Sequence, residues 1–157
     1  ILHHTKTDWP FSNGWRYGVP ILKGPVTLRE LYQISPMDPP ISTAILTGSE
    51  IVTLLEENLE STYAADPFNQ MGGYLKRAMG LHAYLKLENP KGTRVQKLFI
   101  AGEEVIPDKE YNVSYVTNQG VPKKSGKAHK NLEKHAVEAM MDYLAEFGPY
   151  EKDLRGT

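Results

Sequence analysis

Residues 41–46 form a β-prone run of Ile, Thr and Ala that ends directly in Thr47-Gly48-Ser49-Glu50. Those four residues spell a capping box, in which a hydroxyl accepts the N–H three residues on and the Glu reaches back. Ile51, Leu54, Leu55 and Leu59 follow at helical spacing, with Glu56, Glu57 and Glu60 on the other side. The pattern predicts a strand feeding an amphipathic helix whose acidic face is solvated. A chain built on this unit needs both strand and helix layers.

The remaining segments extend the same alternation. Thr27-Leu28-Arg29-Glu30 is another capping box, and its helix must end near Ser35 because Pro36 disfavours a helical residue before it. Residues 35–40 are too proline-rich for helix or strand. Residues 81–88 alternate apolar and polar side chains, 94–101 read as a second strand, and 111–116 as a third. His82 falls on the polar face of the first and reads as a solvated histidine. Gly102-Glu103 suggests a tight turn. Residues 131–147 carry Leu132, Ala136, Ala139, Met140, Tyr143 and Phe147 on one helical face, which makes this the longest expected helix. Gly148-Pro149 stops it. The expected fold class is α+β, with mixed α/β layers in which helices cover mixed sheets. One domain is expected over residues 11–149, between an incoming linker at 1–10 and a polar tail at 150–157.

Bulk properties exclude several classes. The net charge is -1 with no basic arm, so no nucleic-acid partner is expected. There is no cysteine, hence no disulfide, thiol nucleophile or thiolate metal site. No apolar run approaches the ~18 residues of a membrane span. The chain opens on Ile rather than Met and reads as a piece of a longer protein.

Residues 12–18, Ser-Asn-Gly-Trp-Arg-Tyr-Gly, are the first candidate binding element. The Asn13-Gly14 pair turns the backbone, and Arg16 offers a planar charge suited to a bidentate anion. The second is the irregular stretch 63–74, where Gly72-Gly73 permits close backbone approach and Lys76 and Arg77 follow at once. The glycine- and lysine-rich residues 119–130 resemble a phosphate loop only superficially. Five residues separate Gly120 from Gly126, and neither Ser nor Thr follows Lys127. His3-His4 lacks a third ligand nearby. The chain shows no catalytic elbow, metal-binding histidine pair or paired acid and base, so no catalytic residue and no metal site are expected in it.

The order of motifs resembles the C-terminal domain of the 5'-nucleotidase family. Asn13-Gly14-Trp15-Arg16 leads to Gly24-Pro25-Val26-Thr27-Leu28, as the family's turn leads to its first helix. Leu46-Thr47-Gly48-Ser49-Glu50-Ile51 is similar to the family's strand-to-helix motif, and Pro90-Lys91-Gly92-Thr93-Arg94-Val95 to a later turn. The run 100–113, from Ile-Ala-Gly to Tyr-Asn-Val, then Thr117-Asn118 and a terminal helix, complete the order. Residues 14–18 and 66–77 are most similar to the sulfur-oxidation (SoxB-like) branch.

This resemblance implies a division of labour. A separate N-terminal metallophosphoesterase domain of the same polypeptide would carry two divalent metal ions and the chemistry. This domain would bind substrate and would be inactive alone. The resemblance assigns substrate contacts to Asn13 and Arg16 and the base-clamp positions to Ile41 and Gln119; with Gly72, Gly73, Arg77 and Asn118 these make up the expected substrate-binding set. Ile41 and Gln119 stand where nucleotidases carry the two phenylalanines that sandwich the base, and Tyr74 stands where the SoxB-like loop has Asp. The implied ligand is a small anionic phosphate ester such as a nucleotide. A sulfur-bearing carrier-protein peptide is the alternative within the family, and a non-catalytic binding module is the alternative outside it. The resemblance also implies export from the cytoplasm.

Overall fold

Trp9 and Phe11 alternate along an extended chain, so both rings fall on one side of it. The computed structural model describes residues 1–12, 20–71, 75–116 and 120–149. It places both rings in strand β1 (Trp9–Ser12), fully buried, with centroids 3.8 Å apart. β1 runs parallel to β7 (Glu110–Val116), with Trp9 opposite Val113 and Phe11 opposite Tyr115. β2 (Pro40–Thr47) lies antiparallel on the other side of β7 and carries β8 (Lys127–His135) on its far edge. β3 (Arg77–Ala78) pairs antiparallel with β1, giving the order β3-β1-β7-β2-β8. A smaller antiparallel sheet joins β4 (Leu81–Leu85), β5 (Val95–Ile100) and β6 (Glu103–Glu104).

Neighbouring residues of β7 point to opposite faces, and each face has its own core. Val113 and Tyr115 join Trp9, Phe11 and Leu46 in a cluster that includes Ile51 and Leu54 of α3 (Gly48–Tyr63) and Leu98 and Ile100 of β5. On the other face Val116 and Ile41 pack with Ala136 and Ala139 of α4 (Ala136–Phe147). There too, Thr5 and Thr7 donate to the Ser114 hydroxyl at 3.2 and 2.8 Å. Thr5 closes the short helix α1 (Leu2–Thr5).

The capping boxes form as expected. Glu50 accepts the Thr47 N–H at 2.8 Å, and the Thr47 hydroxyl accepts the Glu50 N–H at 3.2 Å. Glu30 accepts the Thr27 N–H at 2.6 Å at the start of α2 (Leu28–Ile34), which ends at Ser35. Ala101 and Gly102, at φ 52° and 87°, make the two-residue turn between β5 and β6.

Three expectations are corrected. Residues 1–10 are not a bare linker. They hold α1 and the start of β1, and the Asp8 N–H and carboxylate both bond to the Asn112 backbone. Burial of the Trp9 ring is what draws this segment into the sheet. Residues 131–135 are strand, not helix. The free edge of β2 supplies ladder bonds that outweigh a weak local helix preference. Leu132 still packs against the α4 cluster, so one apolar spacing serves a strand followed by a helix. This makes α3, at 16 residues, longer than α4, at 12.

The third correction concerns the acidic face of α3. Glu56 is buried and accepts the Val95 N–H at 2.6 Å and the Gly92 N–H at 3.0 Å. Glu60 pairs at 2.7 Å with Arg94, whose side chain is only 7% exposed. Only Glu57 behaves as a surface group, 3.2 Å from an exposed Lys124.

Candidate functional site

Sheet register decides which parts of the chain meet. β1 and β7 run the same way, so their carboxyl ends lie together. β2 and β3 run the opposite way, so their first residues lie at that same end. Ile41 pairs with Val116, and Arg77 pairs with Ser12. The result is a rim formed by Ser12, Ile41, Arg77 and Val116, at the carboxyl ends of the only parallel pair among the described strands.

Among the expected site residues, Arg77 lies on this rim, exposed, at the start of β3. Ile41 lies on it too but is fully buried against Val116, Ala136 and Ala139. A side chain with no exposed surface offers a ligand no contact, so Ile41 is core at this rim. Asn13, Arg16, Gly72, Gly73, Asn118 and Gln119 lie outside the described residues. In the chain, Ser12 immediately precedes 13–19, Val116 precedes 117–119, and Arg77 follows 72–74 closely.

Hydrogen bonds tie the rim to its supports. On α3, Asn58 accepts the Lys76 N–H through Oδ1 at 2.7 Å, and the Ser61 carbonyl accepts the Met71 N–H at 3.0 Å. Gln70 donates its side-chain N–H to the Ala64 carbonyl at 2.8 Å. Asp66 accepts the Phe68 N–H at 3.0 Å and leaves the Phe68 ring 95% exposed. Lys76 is half-buried, and burial lowers its ammonium pKa below the usual lysine range against a smaller opposing effect of Glu57. Its stem lines a pocket of about 100 Å³ with Leu55, Leu59, Leu75, Leu81 and Leu85.

At the β2 and β8 side of the rim, Pro40 pairs with His135. Asp38, at φ 38°, accepts the Val137 N–H through Oδ1 at 2.8 Å, and its carbonyl accepts from His135 Nδ1 at 2.7 Å. Asp38 therefore caps α4 from the proline-rich loop. One residue inward, the Tyr115 hydroxyl reaches over β2 to His129 Nδ1 at 2.9 Å, and His129 Nε2 donates to the Ser125 carbonyl at 2.9 Å. Ser42 is in register with Tyr115 on one side and Asn131 on the other, and donates to Asn131 Oδ1 at 2.8 Å. Burial raises the Tyr115 pKa, partly offset by its bond with Ser42.

Asn58, Asp38 and the Tyr115–His129 pair were not singled out from the sequence. Asn58 had a signal: it is the one amide in the stretch 54–60, which is otherwise leucine and glutamate. The other contacts join residues 14 to 99 positions apart and leave no local trace. Among the described residues, no group of three or more His, Asp or Glu side chains is gathered to hold a metal ion. Among the described residues, no helix is long and apolar enough to cross a membrane.

Comparison with known proteins gives the arrangement its context. The family model for the 5'-nucleotidase C-terminal domain matches residues 2–124. No curated protein matches. The sulfate thiohydrolase SoxB of Thermus thermophilus, solved with glycerol, superposes with a TM-score of 0.79 at 27% identity, over 92% of this chain and 27% of that one. A 5'-nucleotidase precursor, also from Thermus thermophilus, gives 0.73 at 23% identity, over 92% and 30%. The NAD nucleotidase NadN of Haemophilus influenzae gives 0.69 at 14% identity, over 97% and 29%, a likeness of fold. The chain thus spans about three-tenths of the length of the structures it matches. It belongs to the family of 5'-nucleotidase C-terminal domains.

Proposed function

We propose that this chain is the substrate-binding domain of a two-domain, dimetal hydrolase of the 5'-nucleotidase type, acting on a phosphate ester such as a nucleotide. The metals and the attacking water would belong to an N-terminal metallophosphoesterase domain of the same polypeptide. Arg16 and Arg77 would grip the anionic group, with Asn13, Asn118 and Gln119 as neutral hydrogen-bonding partners and Gly72-Gly73 allowing close approach. Ile41 serves this site only as packing. The observation that carries the reading is the register pair Ser12–Arg77 beside Ile41–Val116, which brings the flanks of all these residues to one rim. Export of the parent protein belongs to the same reading, supported by the word precursor in the name of the Thermus nucleotidase.

A second reading has its own support. The 27% identity to SoxB exceeds that to the nucleotidase, and a SoxB-like enzyme would act on a sulfur-bearing carrier protein. The aromatic pair expected to clamp a nucleobase is also absent, with Ile41 and Gln119 in its place. The test is a substrate panel on the full-length protein with manganese: AMP, GMP and a peptide carrying cysteine S-sulfonate. Release of phosphate from the nucleotides supports the first reading, and release of sulfate from the peptide alone supports the second. Turnover of neither contradicts both.

A further inference from the structure

Asn58 sits on α3, remote in sequence from the rim, yet its side-chain carbonyl accepts the Lys76 N–H at 2.7 Å. Three residues on, the Ser61 carbonyl accepts the Met71 N–H at 3.0 Å. Positions i and i+3 lie on one face of a helix, about 5 Å apart along the axis. One helical face therefore holds the chain at Met71 and again at Lys76. The residue after Lys76 is Arg77, in register with Ser12 on β1.

β3 is only two residues long. Two ladder positions leave a strand free to shift along its neighbour, because short edge strands specify register weakly. A side-chain amide aimed at the N–H just before the strand adds a constraint on that register. It also fixes the alternation, since Lys76 turned towards α3 leaves Arg77 on the opposite side.

We infer that Asn58 is a positioning residue for Arg77: by holding the Lys76 N–H it sets where the Arg77 guanidinium stands on the rim. The inference rests on the functional reading above, because Arg77 must contact substrate for its position to count. Asn58 itself touches no reacting atom. The bond that matters here is the one to the Lys76 N–H, and any side chain with an acceptor at the same place can supply it. Asp keeps that acceptor; Ala removes it.

The test uses the full-length protein and the best substrate of the AMP, GMP and S-sulfonate panel. Asn58→Ala is expected to lower kcat/KM about 10-fold, mostly through KM, while Asn58→Asp stays within about twofold of wild type. In an Arg77→Ala background the further effect of Asn58→Ala is expected to shrink below about twofold, the non-additivity of two residues acting as one unit. Hydrogen exchange supplies a second readout, with protection of the Lys76 amide lost in Asn58→Ala and kept in Asn58→Asp. Full additivity of the two substitutions, or a protected Lys76 amide in Asn58→Ala, overturns the inference. An Arg77→Ala variant with unchanged kcat/KM overturns the assignment of Arg77 instead, and the inference with it. If Asn58→Ala fails to fold, Asn58→Ser with the same exchange measurement decides.

Discussion

The Glu56 carboxylate accepts the Val95 backbone N–H at 2.6 Å, joining the middle of α3 to the first residue of β5. Its other oxygen accepts the Gly92 N–H at 3.0 Å, so one buried side chain satisfies a donor in the β4–β5 connection and a donor at the start of β5. Removing it strands both N–H groups. Glu56→Ala is expected to cost about 3 kcal/mol of stability, more than Glu57→Ala at the surface. Chemical denaturation of both variants checks this, and equal midpoints would contradict it.

Glu50 gives the fold an acid-sensitive joint. Its carboxylate accepts the Thr47 N–H and hydroxyl and the Gly126 N–H at 2.9 Å. The Thr47 backbone bond chiefly holds its pKa below the usual 4.5, against a smaller effect of burial. A depressed folded-state pKa means the stabilisation is complete above the unfolded value. It is lost as pH falls below 4.5 through the folded value. Glu50→Gln is therefore expected to be less stable than wild type at pH 7, by about 1 kcal/mol. The difference should narrow below pH 4. Thermal unfolding from pH 7 to pH 3 measures it, and a constant difference would sink the argument.

How much of this was legible in the sequence follows from the range of the forces. The strand-to-helix unit at 41–59, both capping boxes and the end of α2 at Ser35 rest on contacts within four residues, and local pattern reports those. The acidic face of α3 misled because Glu56 and Glu60 look solvated until Gly92, Val95 and Arg94 arrive from more than 30 positions away. Residues 131–135 misled because a strand followed by a helix can share one apolar stripe. Trp9 was visible, but the parallel β7 that buries it lies about a hundred positions away in the chain. The candidate rim was legible only as a set of residue types. Register, which no local signal encodes, brings their flanks together.

Gly48 marks where the strand-to-helix joint crosses the turn after β6. A Cβ there would lie 2.2 Å from the Ile106 carbonyl oxygen, while the Gly48 N–H donates to the Lys109 carbonyl at 3.0 Å. Backbone on both sides leaves nowhere to shift. Gly48→Ala is expected to destabilise by about 3 kcal/mol, despite the better helix propensity of alanine. A melting temperature equal to or above wild type would contradict this packing.

The division of labour predicts a negative result for the chain alone. Residues 1–157 with added manganese or zinc are expected to release no phosphate from AMP. Turnover by the pure chain would contradict the proposal that the metal centre and the chemistry belong to another domain.

The rim itself is tested most directly by kcat/KM for Arg16→Ala and Arg77→Ala in the full-length protein on its best panel substrate. On the proposed reading each would remove one charge-assisted contact, expected to lower kcat/KM about 10- to 100-fold while metal content stays at the wild-type level. Wild-type kcat/KM in both variants would contradict the claim that this end of the sheet reads the substrate.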